Sequence, residues 1–121
     1  MRRLAVSALP LLLLAQCTPA ADGAGVPGDC ASYADDMAAA GLPVATFTRI
    51  GWRETGCNPW THIVDSDDNG GFFFGLNFRG SMAGYWRNLC GATLANIAGN
   101  VPLIMDCAAA EYRAHGLRAW S

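Results

Sequence analysis

Apolar residues recur at three- and four-residue spacing through residues 30–40, where Tyr33, Ala34, Met37, Ala38 and Ala40 share a stripe. The pattern predicts a helix there, capped by Asp29 and stopped by Gly41. A second helix is predicted over residues 43–55, with Pro43 suited to a first helical position and Gly56 to the stop. Residues 58–71 are rich in Asp, Asn and Gly and read as loop. Phe72, Phe73 and Phe74 form an apolar burst between glycines, fitting a short strand or a buried turn. Ser81 can cap a third helix that runs to Cys90, and Thr93 starts a short one as far as Ala98. Asn100 starts the last, through Ile104, Cys107 and Tyr112 to His115, with Gly116 as its stop. The expected fold is mainly α with a short β-like or irregular central segment.

The N-terminus is different in kind. Arg2 and Arg3 precede an apolar run from Leu4 to Ala15 that is broken only by Ser7 and Pro10. The run is shorter than the roughly 20 residues a spanning helix needs. It fits an export signal over residues 1–17, followed by a flexible Ala/Gly/Pro tether over residues 18–29 and one domain over residues 30–121. Two endings of the signal fit. Leu14-Ala15-Gln16-Cys17 resembles a lipobox, in which Cys17 would be lipidated, although Gln16 stands where a small residue is usual. Cleavage near Ala20 would instead discard Cys17. The expectation is therefore an exported protein: a periplasmic or outer-membrane lipoprotein, or an extracellular one.

About 100 residues support only a modest core, and such domains gain from covalent staples. Cys30, Cys57, Cys90 and Cys107 remain beyond Cys17, an even number that predicts two disulfides in an exported chain. Three pairings are open. No Cys-x-x-Cys pair occurs, so no zinc site is expected. Asp65, Asp67, Asp68, Asn69 and Gly70 begin like a calcium loop, but Leu76 stands where the bidentate Glu would be. No metal or cofactor is expected. The chain has no lysine and carries six arginines against ten acids beyond Arg3. Without a basic stripe, a nucleic-acid partner is not expected.

Glu54 is the candidate catalytic residue. Gly51, Ile50 and Phe47 precede it by three, four and seven residues and share its helix face. A carboxylate on an apolar face near a helix C-terminus resists ionisation, which suits a general acid. The plainer reading is a surface Glu paired with Arg53 or another arginine.

The surrounding run Arg49-Ile50-Gly51-Trp52-Arg53-Glu54-Thr55-Gly56-Cys57-Asn58-Pro59 resembles the signature helix of the soluble lytic transglycosylases, a lysozyme-like family. Gly75-Leu76-Asn77 is similar to the family's Gly-Leu…Gln-Ile-Asn segment on the cleft wall. The stretch from Tyr85 to Gly91 resembles the next helix of cysteine-containing members. Asn100 through Tyr112, with Gly116 and Trp120, resembles the final helix and aromatic tail. The likeness covers residues 30–121. It implies a lysozyme-like fold and cleavage of the β-1,4 bond between N-acetylmuramic acid and N-acetylglucosamine in peptidoglycan, by a monomer.

In that resemblance Glu54 is the acid/base, Asn77 and Tyr112 are substrate-side residues, and Cys57 pairs with Cys90 and Cys30 with Cys107. Trp60, on the loop after the catalytic helix, is a candidate glycan contact. The family works with one carboxylate. Asp65, Asp67 or Asp68 would be needed for a hydrolytic lysozyme with two. The chain departs from the family in holding Gly75 in the place of the usual Gln, and Phe72 where glycine is usual. A fold that binds peptidoglycan without cutting it is thus the second expectation, and a helical adaptor unrelated to glycan the third.

Overall fold

The computed structural model describes residues 30–64 and 69–121. The expected signal, tether and Asp29 cap, Cys17, and the acids Asp65, Asp67 and Asp68 lie outside the described residues. The described chain is mainly helical, with little strand.

A 3₁₀ turn, Cys30–Tyr33, leads into helix α1, Ala34–Ala39. The single predicted helix thus has a tighter first turn. Helix α2, Val44–Thr55, follows after Pro43, whose ψ of 109° makes it the cap and not the first helical residue. Gly56 closes α2 in the left-handed conformation at φ 70°, where a side chain would be strained.

The predicted loop contains an antiparallel pair. Strand β1, His62–Val64, pairs with β2, Asn69–Gly71, with His62 opposite Gly71. Two three-residue strands carry too little alternation to be read from sequence. Asn69 and Gly70, counted above toward a calcium loop, belong to β2. The phenylalanines form the buried turn and not the strand: Phe72, Phe73 and Phe74 are all at 0% exposure.

Helix α3, Met82–Cys90, starts after Ser81, whose side chain does not cap it. In the short α4, Leu94–Ile97, the Asn96 side chain accepts from the Thr93 N–H at 2.7 Å. In α5, Val101–His115, the Asn100 side chain accepts from the Leu103 N–H, as expected of a cap. A 3₁₀ turn, Arg118–Trp120, ends the fold.

The core gathers around the phenylalanine turn. Phe47 of α2 meets Phe74, Tyr112 and Trp120 edge-to-face at 5.1–5.5 Å between centroids. Phe73 lies on Gly51, where an added methyl would stand 2.6 Å from the ring. Glycine on the inward face of α2 therefore lets the turn pack against the helix backbone.

The disulfides are Cys30–Cys57 and Cys90–Cys107, with Cα–Cα distances of 5.2 Å in each. This corrects the pairing that the family resemblance implied. Cys57 takes a left-handed φ of 60° directly after α2, at the level of the first 3₁₀ turn. Cys90 ends α3 against the middle of α5, where Cys107 sits. The tie that was expected to hold the end of α2 to α3 runs instead to the N-terminal turn. Two such pairs fit an oxidising compartment. Among the described residues, no helix is long and apolar enough to cross a membrane.

Candidate functional site

Glu54 is the penultimate residue of α2. Its carboxylate is not enclosed by the apolar face that its spacing suggested. The side chain is 34% exposed, and Oε2 accepts from Arg53 Nε at 3.1 Å and Nη2 at 2.9 Å. The same Nη2 donates to the Trp120 carbonyl at 2.8 Å. Arg53 therefore links the candidate acid to the C-terminal turn, and the ion pair offered as the plainer reading does form.

The other carboxylate oxygen faces Gly75. A methyl group added to Gly75 would stand 2.5 Å from Oε1, and Gly75 itself has φ 77°. Glycine is required here twice, by the backbone conformation and by the close approach of Glu54. The place where the family resemblance puts Gln thus admits no side chain in this arrangement.

Gly75 also lines a cleft of about 280 Å³, together with Leu76, Asn77, Met82, Trp86 and Trp120. Both tryptophans are fixed by backbone acceptors. Trp86 Nε1 donates to the Asn77 carbonyl at 2.7 Å, and Trp120 Nε1 to the Phe74 carbonyl at 3.0 Å. Such anchoring holds two aromatic side chains on either side of the segment that meets Glu54.

The backbone leading to this corner is unusual. Phe72 and Phe73 have φ of 43° and 71°, a region that L-residues with bulky side chains rarely occupy. Glycine at Phe72, as the resemblance has it, would adopt that conformation freely. The turn is held by Thr55 Oγ1 donating to the Phe73 carbonyl at 2.7 Å, and by the Phe73 N–H donating to the Asn58 carbonyl at 2.9 Å. Thr55, directly after Glu54, therefore couples the end of α2 to the strained turn. Strain of this kind persists where surrounding contacts enforce it, and it clusters at functional sites.

The predicted substrate residues scatter. Asn77 does line the cleft, while its side-chain oxygen accepts from the Arg79 N–H at 2.7 Å and so caps its own turn. Tyr112 packs its ring on Phe47, about two helical turns before Glu54. Trp60 is 68% exposed and lies flat against Gly99, where an added methyl would overlap the indole. Its contact is with the link between α4 and α5 and not with the cleft around Gly75. His62, at the start of β1, is exposed, and its ring tilts onto Phe72 at 5.0 Å. The sequence reading missed Trp86 and Trp120 as cleft walls and Gly75 as the floor beneath the acid. Their only signal was the general ability of aromatics to bind sugars.

A second ionisable cluster lies between α3 and α5. Glu111 is the one buried charged residue among the described residues, at 6% exposure. It accepts a very short hydrogen bond from the Tyr85 hydroxyl and pairs with His115 Nδ1 at 3.1 Å. The Tyr85 hydroxyl also lies 3.2 Å from His115 Nδ1. The hydrogen bond to Glu111, with burial and the carboxylate charge adding to it, pushes the Tyr85 phenol up to about 12 from its usual 10.0. His115, in the last turn of α5, faces Glu111 one turn earlier.

Compared with protein-family models, with curated proteins and with solved structures, the chain finds no match in any of the three.

Proposed function

We propose that this protein cleaves the glycan of peptidoglycan as a lytic transglycosylase of lysozyme-like fold, with Glu54 as acid and base. The observation that carries the reading is the corner itself. A carboxylate with one oxygen held by Arg53 keeps the other against Gly75, on the edge of a cleft walled by Trp86 and Trp120.

Glu54 protonates the bridging glycosidic oxygen as the bond to C1 of the muramic acid breaks. The resulting carboxylate then takes the proton of the sugar's own 6-hydroxyl, whose oxygen bonds C1 and closes the anhydro ring. The proton returns to Glu54 and no water is consumed. Among the described acids, Asp35, Asp36 and Asp106 belong to α1 and α5, and Glu111 is engaged with Tyr85 and His115. The acids that a two-carboxylate hydrolase would draw on, Asp65, Asp67 and Asp68, lie outside the described residues, so the products separate the two routes. The disulfides fit export to the periplasm or beyond, where this polymer is found.

The test is mass spectrometry of soluble products from purified peptidoglycan. Anhydro-muramic ends that disappear in Glu54→Gln support the proposal. Reducing ends would transfer it to a hydrolase using an acid from residues 65–68. A second reading, binding without cleavage, is favoured by the Arg53 pair on Glu54 and by the commitment of the Asn77 side-chain oxygen to its own turn. Retention on cell-wall sacculi, with no product from either wild type or Glu54→Gln, would select it.

A further inference from the structure

Beside Glu54 lies a groove that the glycan reading leaves unused. It holds about 330 Å³ between α2 and the C-terminal turn. Arg49 and Arg53 stand one helical turn apart along it, and Ile50, Leu117 and Trp120 supply apolar lining. No Asp or Glu lines it, in a chain whose formal net charge is −2. Arg53 is engaged by Glu54 and the Trp120 carbonyl. Arg49 is exposed, and its guanidinium makes no hydrogen bond or ion pair with any other described residue.

A guanidinium without a partner among the described residues, set beside apolar surface, suits a carboxylate on a short chain with apolar flanks. The groove and the cleft share Trp120, and Arg53 reaches from the groove to the acid. A ligand whose sugar occupies the cleft therefore has a substituent within reach of the groove. We propose that this groove binds the carboxylates of the short acidic peptide carried by muramic acid, with Arg49 as the anion-binding group. The identity of the ligand rests on the glycan reading. The preference for a carboxylate rests on the groove alone.

The probe is N-acetylmuramyl-L-alanyl-D-glutamic acid, set against the same compound with both carboxyls amidated. Binding to the protein with both disulfides formed is measured by titration calorimetry. The acid should bind about tenfold more tightly than the amide at low salt. That advantage should shrink as the Debye length falls toward ~3 Å at molar salt. Arg49→Gln should erase the preference, and Arg49→Lys should keep part of it. Equal affinity of acid and amide for the wild type overturns the proposal without recourse to any variant. So does an Arg49→Gln protein that still prefers the acid. Preference for the acid with no digestion of cell walls would sink the cleavage reading and leave the groove standing; digestion without that preference would do the reverse.

Discussion

Two glutamates sit near the C-terminal ends of helices. Glu54 is one residue from the end of α2, and Glu111 is four residues from the end of α5. Helical spacing puts Glu54 on an apolar stripe, so the sequence nominated it as the acid shielded from water. The structure buries Glu111 instead. Glu54 keeps a third of its side chain exposed and pairs with Arg53, while Glu111 is enclosed between α3 and α5 and satisfied by Tyr85 and His115. A helix stripe states which way a side chain leaves the helix. What covers its head depends on the elements packed beyond it, and over Glu54 that element is a glycine turn beside an open cleft. The burial of Glu111 is matched by partners at both oxygens, as a buried carboxylate requires.

The largest expected effect separates the two acids by function. Glu54→Gln should lower the release of anhydro-muropeptides by roughly a hundred- to ten-thousand-fold, the usual worth of general acid–base catalysis. Its thermal midpoint should stay near that of the wild type. Glu111→Gln should retain turnover at low temperature. Equal losses of turnover in the two variants would break the contrast.

Stability comes next. The Cys30–Cys57 bridge closes 27 residues and Cys90–Cys107 closes 17. In the loop-entropy account these are worth about 3.5 and about 3 kcal/mol respectively. Replacing Cys30 and Cys57 together by Ala should lower denaturant stability by about that first amount. It should also impair cleavage in the folded fraction, because Cys57 anchors the end of α2. Removing Cys90 and Cys107 should cost nearly as much stability with less effect on cleavage, since that bridge lies in the helix pair that carries Glu111.

Glu111→Gln should destabilise by about 1–3 kcal/mol, the usual consequence of weakening a buried hydrogen-bonded charge. Urea unfolding would measure it, and a loss near zero would mean that the Tyr85 and His115 partners contribute nothing. Gly75→Ala should cost about 1–2 kcal/mol through its positive φ. It should lower cleavage further by displacing the Glu54 carboxylate.

The smallest effect appears with pH. Tyr85 titrates at about 12 in the folded protein and near 10.0 when unexposed to Glu111 in the unfolded chain. The folded state thus holds that proton more tightly. The stabilisation is fully present below pH 10 and is lost as the pH rises through about 12. Tyrosinate absorbance should show one phenol lagging the others, and Tyr85→Phe should remove the lag.

Much of the helical framework was legible. The stops at Gly56 and Gly116, the Asn100 cap and the even set of four cysteines follow from local chemistry, which the sequence states outright. The β1–β2 pair was not legible, because its partners are three residues long and its register depends on an interaction between separate segments. The candidate acid was found through its helix and its resemblance, whereas its cleft walls, Trp86 and Trp120, come from α3 and the C-terminal turn and meet only on folding. Tyr112 and Trp60 stood near Glu54 in the reading, yet their rings pack on Phe47 and Gly99.

By itself the sequence determined which segments are helical, several of their stops, that the chain carries two staples, and that Glu54 stands at the end of a helix. Each of these depends on neighbours within a few residues. Tertiary structure decided which cysteines pair, which glutamate is buried, and that Gly75 must stay bare beneath a carboxylate. Those outcomes depend on which segments are brought together across the core, and pairwise distance in space is not encoded by spacing along the chain.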